Sequence, residues 1–243
     1  MVLGGQSYRI DDGGERSRHD SRPDELRFYK SRAMVESLAR YFSARPDFRP
    51  RRIFEMGIWD GGSVAFWNEI FRPERHVALD LAAGGDSASF RSWLGRRTAA
   101  GSVETFWGID QSDREVVRAL ARQSLGDAPD LVIDDAAHIL ECLQPAFETL
   151  FPLLPPGGLY LIEDWAWGHH VEHHADDHLW RPYGDPTRLM LDLVEAAGSR
   201  GGLVASVHVE LSWAVVERGP ARVEDLPRFR LADWILRRPP RKT

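Results

Sequence analysis

The chain has 243 residues, enough for one α/β domain with a full core, and its hydrophobic fraction of 43% is that of a globular protein. A net charge of −6 gives no electrostatic pull toward nucleic acid or an anionic membrane surface, and no apolar run reaches membrane-spanning length. A lone cysteine, Cys142, excludes an intramolecular disulfide; without an apolar leader core either, the expected setting is the cytoplasm.

Residues 1–22 are polar and glycine-bearing, so they are expected to form a mobile arm or a lid. From Pro23 the apolar residues Leu26, Tyr29, Met34, Leu38, Tyr41 and Phe42 follow a helical stripe that Pro46 and Pro50 end. A first strand, Arg52 to Gly57, runs into a glycine turn, Ile58-Trp59-Asp60-Gly61-Gly62-Ser63, and a helix from about Val64. Strand, glycine turn and helix together form a nucleotide-site signature, because glycines admit positive φ and close backbone approach. The spacing Glu55-x-Gly57-x-x-x-Gly61 is not G-x-G-x-x-G and lacks the P-loop lysine, which counts against NAD and ATP.

The second strand, Arg75 to Asp80, ends in an acid placed to accept from a ribose diol. A helix over Ser87 to Arg97 follows, then a third strand, Ser102 to Gly108, that leads into Ile109-Asp110-Gln111-Ser112. Ser112-x-x-Glu115 reads as a capping box for a helix through about Ser124.

The most informative stretch is Asp130-Leu131-Val132-Ile133-Asp134-Asp135-Ala136-Ala137-His138. It is a buried-strand run with its chemistry at the carboxyl end. Cys142, in the helix after it, is read as a buried small apolar residue and not a nucleophile. A second such strand, Gly158 to Ile162, ends in Glu163-Asp164. If the two are neighbours in a parallel sheet, Asp135, His138, Glu163 and Asp164 meet at the ligand-binding edge. Three carboxylates and an imidazole there suit a hard dication and a base.

The segment 165–185 follows as an active-site loop rich in tryptophan and histidine; it holds five of the nine histidines. His169/His173 and His170/His174 have the i, i+4 spacing of zinc helices but lack the rest of that motif, so the reading is a polar loop. Trp165, Trp167 and Trp180 supply flat walls for a substrate ring. A helix from Asp185-Pro186, strands Leu203 to Leu211 and Trp213 to Glu217 as an antiparallel pair, and a frayed tail over 237–243 complete the chain.

Five βα units, a helix and a closing strand pair, with Glu55-x-Gly57-x-x-x-Gly61, resemble a class I S-adenosylmethionine-dependent methyltransferase. Ile109-Asp110-Gln111-Ser112-Asp113, Ile133-Asp134-Asp135-Ala136-Ala137-His138 and Glu163-Asp164 resemble segments of the metal-dependent macrolide sugar O-methyltransferases of the mycinamicin and macrocin type, and of related rhamnosyl O-methyltransferase and cephalosporin-hydroxylase-like proteins. The resemblance spans about Pro23 to Glu217. Ala136-Ala137 stands where that family has Gly-Ser.

The resemblance implies an α/β, Rossmann-like class I methyltransferase fold: a mostly parallel seven-stranded sheet with a C-terminal antiparallel strand, helices on both faces, and one domain over 23–236. It implies Mg²⁺ on Asp135, Glu163 and Asp164, with His138 as general base. It implies S-adenosyl-L-methionine contacted by Glu55, Gly57, Gly61, Ser63, Asp80, Asp110, Gln111 and Asp134. The expected acceptor is a hydroxyl of a small-molecule glycoside or sugar, with no nucleic acid or membrane partner, in a chain that could form a homo-oligomer. A catechol or other small-molecule hydroxyl is the alternative acceptor, and a cofactor-binding partner protein without turnover is the alternative class.

Overall fold

The computed structural model describes residues 1–10, 25–84, 87–98, 101–126, 128–199 and 201–237. A three-stranded sheet comes first: β1 (Val2–Leu3), β2 (Gln6–Ile10) and β3 (Glu25–Phe28), with β1 antiparallel and β3 parallel to β2. Helix α1 (Arg32–Ser43) follows, its N-terminus capped by the Ser31 hydroxyl on the Met34 amide.

The main sheet then builds by alternation: β4 (Arg52–Met56), α2 (Gly62–Phe71), β5 (Arg75–Asp80), α3 (Ala88–Thr98), β6 (Val103–Trp107), α4 (Arg114–Leu125), β7 (Leu131–Asp134), α5 (Leu140–Leu150), β8 (Leu159–Glu163), α6 (Thr187–Gly198), β9 (Val204–Val209) and β10 (Trp213–Arg218). The spatial order is β6-β5-β4-β7-β8-β10-β9, and β10 alone runs against its neighbours. This is the expected seven-stranded, mostly parallel sheet with its terminal antiparallel pair.

Both faces are covered, so the strands are apolar on both sides. Phe54, Met56, Val132, Tyr160 and Ile162 pack under α4, α5 and α6. Ile53, Leu131, Ile133, Leu159 and Leu161 pack under α1, α2 and the small sheet. The strand order reverses between β4 and β7, so a crevice opens there beyond their carboxyl ends.

Four expectations change. The stripe from Pro23 is not one helix: Leu26 and Phe28 are strand residues buried against α2, and α1 begins only at Arg32. Alternation at spacing two and a helical stripe both fit such a short run. Residues 2–10, expected in a mobile arm, form β1 and β2, with Tyr8 buried on Phe66; residues 11–22 lie outside the described residues. The cap of α4 is Asp113, which accepts from the Glu115 and Val116 amides, because Ser112 is bonded to Asp110 instead. Arg237 is docked on Asp192 of α6 at 2.7 Å and is not frayed, while residues 238–243 lie outside the described residues. No helix among the described residues is long and apolar enough to cross a membrane.

Candidate active site

A cavity of about 420 Å³ sits in the crevice between β4 and β7, within the usual size range of small-molecule sites. The turn after β4 (Gly57, Trp59) and the end of β5 (Leu79, Asp80) form one side; Asp110, Gln111 and the segment Asp135 to Ala137 form the other. Gly57 has φ +96°, and a Cβ there would lie 2.0 Å from the Asp135 carbonyl oxygen. Only glycine lets these two strand ends close up. A larger groove of about 710 Å³ lies between α1 and α2, around Phe42, Phe48 and Phe71, at the far end of α2. It is away from the carboxyl edge and carries none of the candidate chemistry.

The Asp80 carboxylate accepts from the Ile58 and Trp59 amides through one oxygen, both at 2.9 Å, and from the Ala82 amide through the other. It shapes the turn after β4 while remaining on the cavity wall. Gln111 braces the opposite side: its carbonyl accepts from the Ala137 amide and its NH₂ donates to Asp134.

Alternation along β7 separates two adjacent acids. Asp134 turns under α5, where Tyr160 and Gln111 hydrogen-bond it. Burial raises its pKa to about 6, against the pull of those two bonds. Asp135 turns to the opposite face. There its Oδ2 accepts from Lys30 Nζ at 2.8 Å, and its Oδ1 lies 3.8 Å from His138 Nε2. His138 Nε2 is also 3.9 Å from Asp164 Oδ2. Asp135, His138 and Asp164 can therefore offer three ligand atoms to one ion. Glu163, on the same face as Asp135, is paired with Lys30. Its Oε1 is buried without a hydrogen-bond partner. Burial, and after it Asp135, hold the Glu163 carboxyl well above the usual carboxylate range, against the pull of Lys30. Burial works against the charge on Lys30, but Asp135 and Glu163 outweigh it and keep the ammonium protonated.

The backbone at this edge is strained. Among the described residues four non-glycines have positive φ, and three of them are Trp59, His138 and Asp164; the fourth, Arg72, ends α2. Such residues cost about 1–3 kcal/mol each and persist where their surroundings over-determine them. Asp80 holds the Trp59 amide, the Trp167 indole donates to the His138 carbonyl, and the Asp164 amide donates to Ser212 at 2.7 Å.

The histidine-rich segment is not a helix but two 3₁₀ turns, Trp167–His169 and Val171–His173. The i, i+4 pairs therefore do not share a face: His169 bonds Thr187, and His174 bonds the Gly168 carbonyl. His170, Glu172 and His173 come together instead. Burial and the neighbouring His178 lower the His173 pKa. Trp167, His173 and Trp180 wall a cavity of about 370 Å³ and a smaller one of about 130 Å³ that reaches Asp164, while Trp180 lies edge-on to His138.

Of the residues expected around a cofactor, Gly57, Asp80, Asp110 and Gln111 line the 420 Å³ cavity, whereas Glu55, Gly61, Ser63 and Asp134 do not. Glu55 is fully buried under α2 and bonded to His76 at 2.8 Å. Gly61 is required by packing, since a Cβ would strike the Phe90 ring. Ser63 lies within α2, its buried hydroxyl without a partner. Cys142 is only partly buried and lines the cavity; burial raises its thiol pKa, as suits an inert side chain. Lys30 was not foreseen, because a lysine just before a helix cap reads as a surface charge. Tyr160 hid its hydroxyl within an apolar strand run.

The fold is that of the class I S-adenosylmethionine-dependent methyltransferases. The chain superposes on MycE methyltransferase from the mycinamycin pathway, in complex with Mg, S-adenosylhomocysteine and mycinamycin VI, with TM-score 0.60 and 26% identity, over 79% of this chain and 51% of that one. It superposes on the O-methyltransferase TomG from Streptomyces achromogenes with TM-score 0.54 at 19% identity, a likeness of fold alone.

Within that class the chain is similar to O-methyltransferases of glycosylated macrolides and related glycosides. It is 30% identical over 164 residues to mycinamicin VI 2''-O-methyltransferase of Micromonospora griseorubida, covering 64% of this chain and 34% of the relative. It is 34% identical over 121 residues to demethylmacrocin O-methyltransferase of Streptomyces fradiae, covering 46% and 27%. The matched region thus spans about a third or less of these curated relatives. No family model matches the chain.

Proposed function

We propose that the chain is an S-adenosylmethionine- and Mg²⁺-dependent O-methyltransferase that acts on a sugar hydroxyl of a glycosylated natural product. One observation carries this reading: Asp135 belongs both to the wall of the 420 Å³ cavity and to the acid–histidine cluster, so a methyl donor and a deprotonation centre would be neighbours. The names of similar proteins support the acceptor class: 8-demethyl-8-alpha-L-rhamnosyl tetracenomycin-C 2'-O-methyltransferase and L-olivosyl-oleandolide 3-O-methyltransferase act on glycosylated products.

The donor set fits a hard dication. Asp135 Oδ1 and the half-exposed Asp164 would hold the ion, with the unpartnered Glu163 Oε1 as the further oxygen on offer, and Mg²⁺ prefers oxygen ligands. Such an ion, when bound, makes a hydroxyl that it touches more acidic. His138 Nε2, facing Asp135 and Asp164, takes the hydroxyl proton. S-adenosylmethionine, when bound in the 420 Å³ cavity, would supply the methyl group to that oxygen and leave as S-adenosylhomocysteine. Gly57 admits the donor close to the β4 backbone, and Asp110 with Gln111 bounds its far side. Trp167 and Trp180, in the loop over 165–185, screen the reacting atoms from water and offer a ring face to a sugar.

The test supplies S-adenosylmethionine and Mg²⁺ with a panel of glycosylated macrolides, their aglycones and catechols, and follows mass gain by one methyl group. Methylation restricted to glycosides supports the reading. Methylation of catechols alone moves the acceptor class. Cofactor binding with no product from any acceptor would instead favour a partner protein without turnover.

A further inference from the structure

The chain has 31 basic residues, of which only Lys30 and Lys242 are lysines. Within the described residues Lys30 is therefore the one lysine in a protein that otherwise uses arginine. It is also the basic group placed at the carboxylate cluster, with its side chain 2% exposed. An ammonium is a compact point charge, whereas a guanidinium is a planar fork, so the two are not interchangeable in a closed pocket. Position 30 is fixed from both sides. Its amide donates to the Phe28 carbonyl at the end of β3, and Ser31 caps α1. The Phe28 ring lies 5.3 Å from Nζ.

The bonds that Lys30 makes divide the cluster atom by atom. Its Nζ takes Oδ2 of Asp135 and Oε2 of Glu163. What remains is Oδ1 of Asp135, facing His138 and Asp164, and Oε1 of Glu163, buried with no partner. A buried carboxylate without a counter-charge is costly, so Glu163 depends on this cation for its place. With an ion bound, the acids Asp135, Glu163 and Asp164 would all be ionised, and one ammonium among their three negative charges leaves two, which is the charge of one dication.

We propose that Lys30 is a positioning residue for the metal site: it takes one oxygen from each of Asp135 and Glu163, aims the other at the bound ion, and sets the cluster's charge to suit a divalent ion. The inference rests on the Mg²⁺ reading above. It assigns a role in that site to the segment between β3 and α1, which lies more than 100 residues before the acids.

The test compares ion preference and needs no turnover. Wild type and Lys30→Met, both stripped of metal, are titrated with Mn²⁺ by electron paramagnetic resonance and with Tb³⁺ by tryptophan-sensitised luminescence; Trp165, Trp167 and Trp180 lie in the adjoining loop. Removing one positive charge favours a trivalent over a divalent ion, so the Tb³⁺/Mn²⁺ affinity ratio should rise at least about tenfold in Lys30→Met. A purely structural prop would weaken both ions alike. The metal-free Lys30→Met chain should also melt roughly 10 °C lower, and Lys30→Met/Glu163→Gln should recover most of that loss because both charges are gone. An unchanged ratio in a folded variant overturns the proposal alone. Failure of wild type to bind either ion overturns the metal reading and this inference with it. If the single variant does not fold, the double variant decides: a folded double variant supports the charge argument, and an unfolded one overturns it.

Discussion

Gly57 separates two reasons for a glycine beside a ligand cavity, and the structure predicts which dominates. In Gly57→Ala the new Cβ would sit 2.0 Å from the Asp135 carbonyl oxygen, 2.6 Å from its carbon and 3.1 Å from Ala136 Cα. Ordinary contact requires the Asp135 carbonyl to retreat by roughly 1 Å. That strains the bond from the Asp135 amide to the Met56 carbonyl, now 2.9 Å, which is worth about 1 kcal/mol. A side chain at φ +96° adds about 1–2 kcal/mol. With the displaced packing the whole cost is about 3–5 kcal/mol, a large share of the stability of about 5–15 kcal/mol usual for a domain. Gly126, the C-cap of α4, is the control. It has φ +70° and nothing within 4 Å of an added Cβ, so Gly126→Ala should cost only the backbone strain of about 1–2 kcal/mol. Urea unfolding of both variants measures the difference, and calorimetry with S-adenosylhomocysteine measures the cavity. Equal costs for the two substitutions would refute the close-approach argument. Loss of ligand affinity in Gly57→Ala at full stability would mean that the glycine serves the ligand alone.

Three further outcomes are expected. His138→Ala should lower methyl transfer by about 10²–10⁴-fold, as loss of a general base does, with S-adenosylhomocysteine affinity within about twofold of wild type; an unchanged single-turnover rate removes His138 from the chemistry. EDTA should abolish activity and Mg²⁺ restore it, and Asp164→Asn should weaken Mn²⁺ binding far more than cofactor binding. Full activity in metal-free buffer contradicts the ion's role. Tyr160→Phe should cost about 1–3 kcal/mol in urea unfolding, because it removes one of two partners of the fully buried Asp134; a change below about 0.5 kcal/mol would show that the Tyr160 bond adds little.

The parallel sheet was legible because strands buried on both faces are written as continuous apolar runs. Arg75–Asp80 was placed without error, and β7 and β8 within a residue. Residues such as Asp135, His138 and Asp164 could be nominated because strand ends are where polar residues interrupt such runs. What escaped was set by distant contacts. Leu26-x-Phe28 carries too few residues to tell alternation from a helical stripe, and only its burial on α2 decides. The motif points Glu55 and Gly61 at a cofactor, and the fold adds partners, His76 and Phe90, that no local pattern connects to them. Lys30 reaches Asp135 across 105 positions of sequence. An ion pair of that span is invisible until the fold supplies it.

The site depends on strand register as much as on residue identity. Met56, Asp134 and Ile162 are paired across β4, β7 and β8, so Gly57, Asp135 and Glu163 stand in the next row, one residue beyond the ladder. In that row the side chains turn toward β3 and α1. Gly57 contributes none, which lets β4 and β7 close up, and the acids of β7 and β8 face the same buried lysine. One row back the faces are reversed, which is why Asp134, adjacent to Asp135 in sequence, spends its carboxylate on Tyr160 and Gln111. A one-residue slip of β8 would turn Glu163 under α6 and bring Ile162 to Lys30, leaving a buried charge without a counter-ion. The apolar pairs Ile53, Leu131 and Leu159, well away from the chemistry, therefore fix which acids meet. The core specifies the candidate site by fixing the register, and the strained turns at Trp59, His138 and Asp164 are where the chain leaves that register at the carboxyl edge.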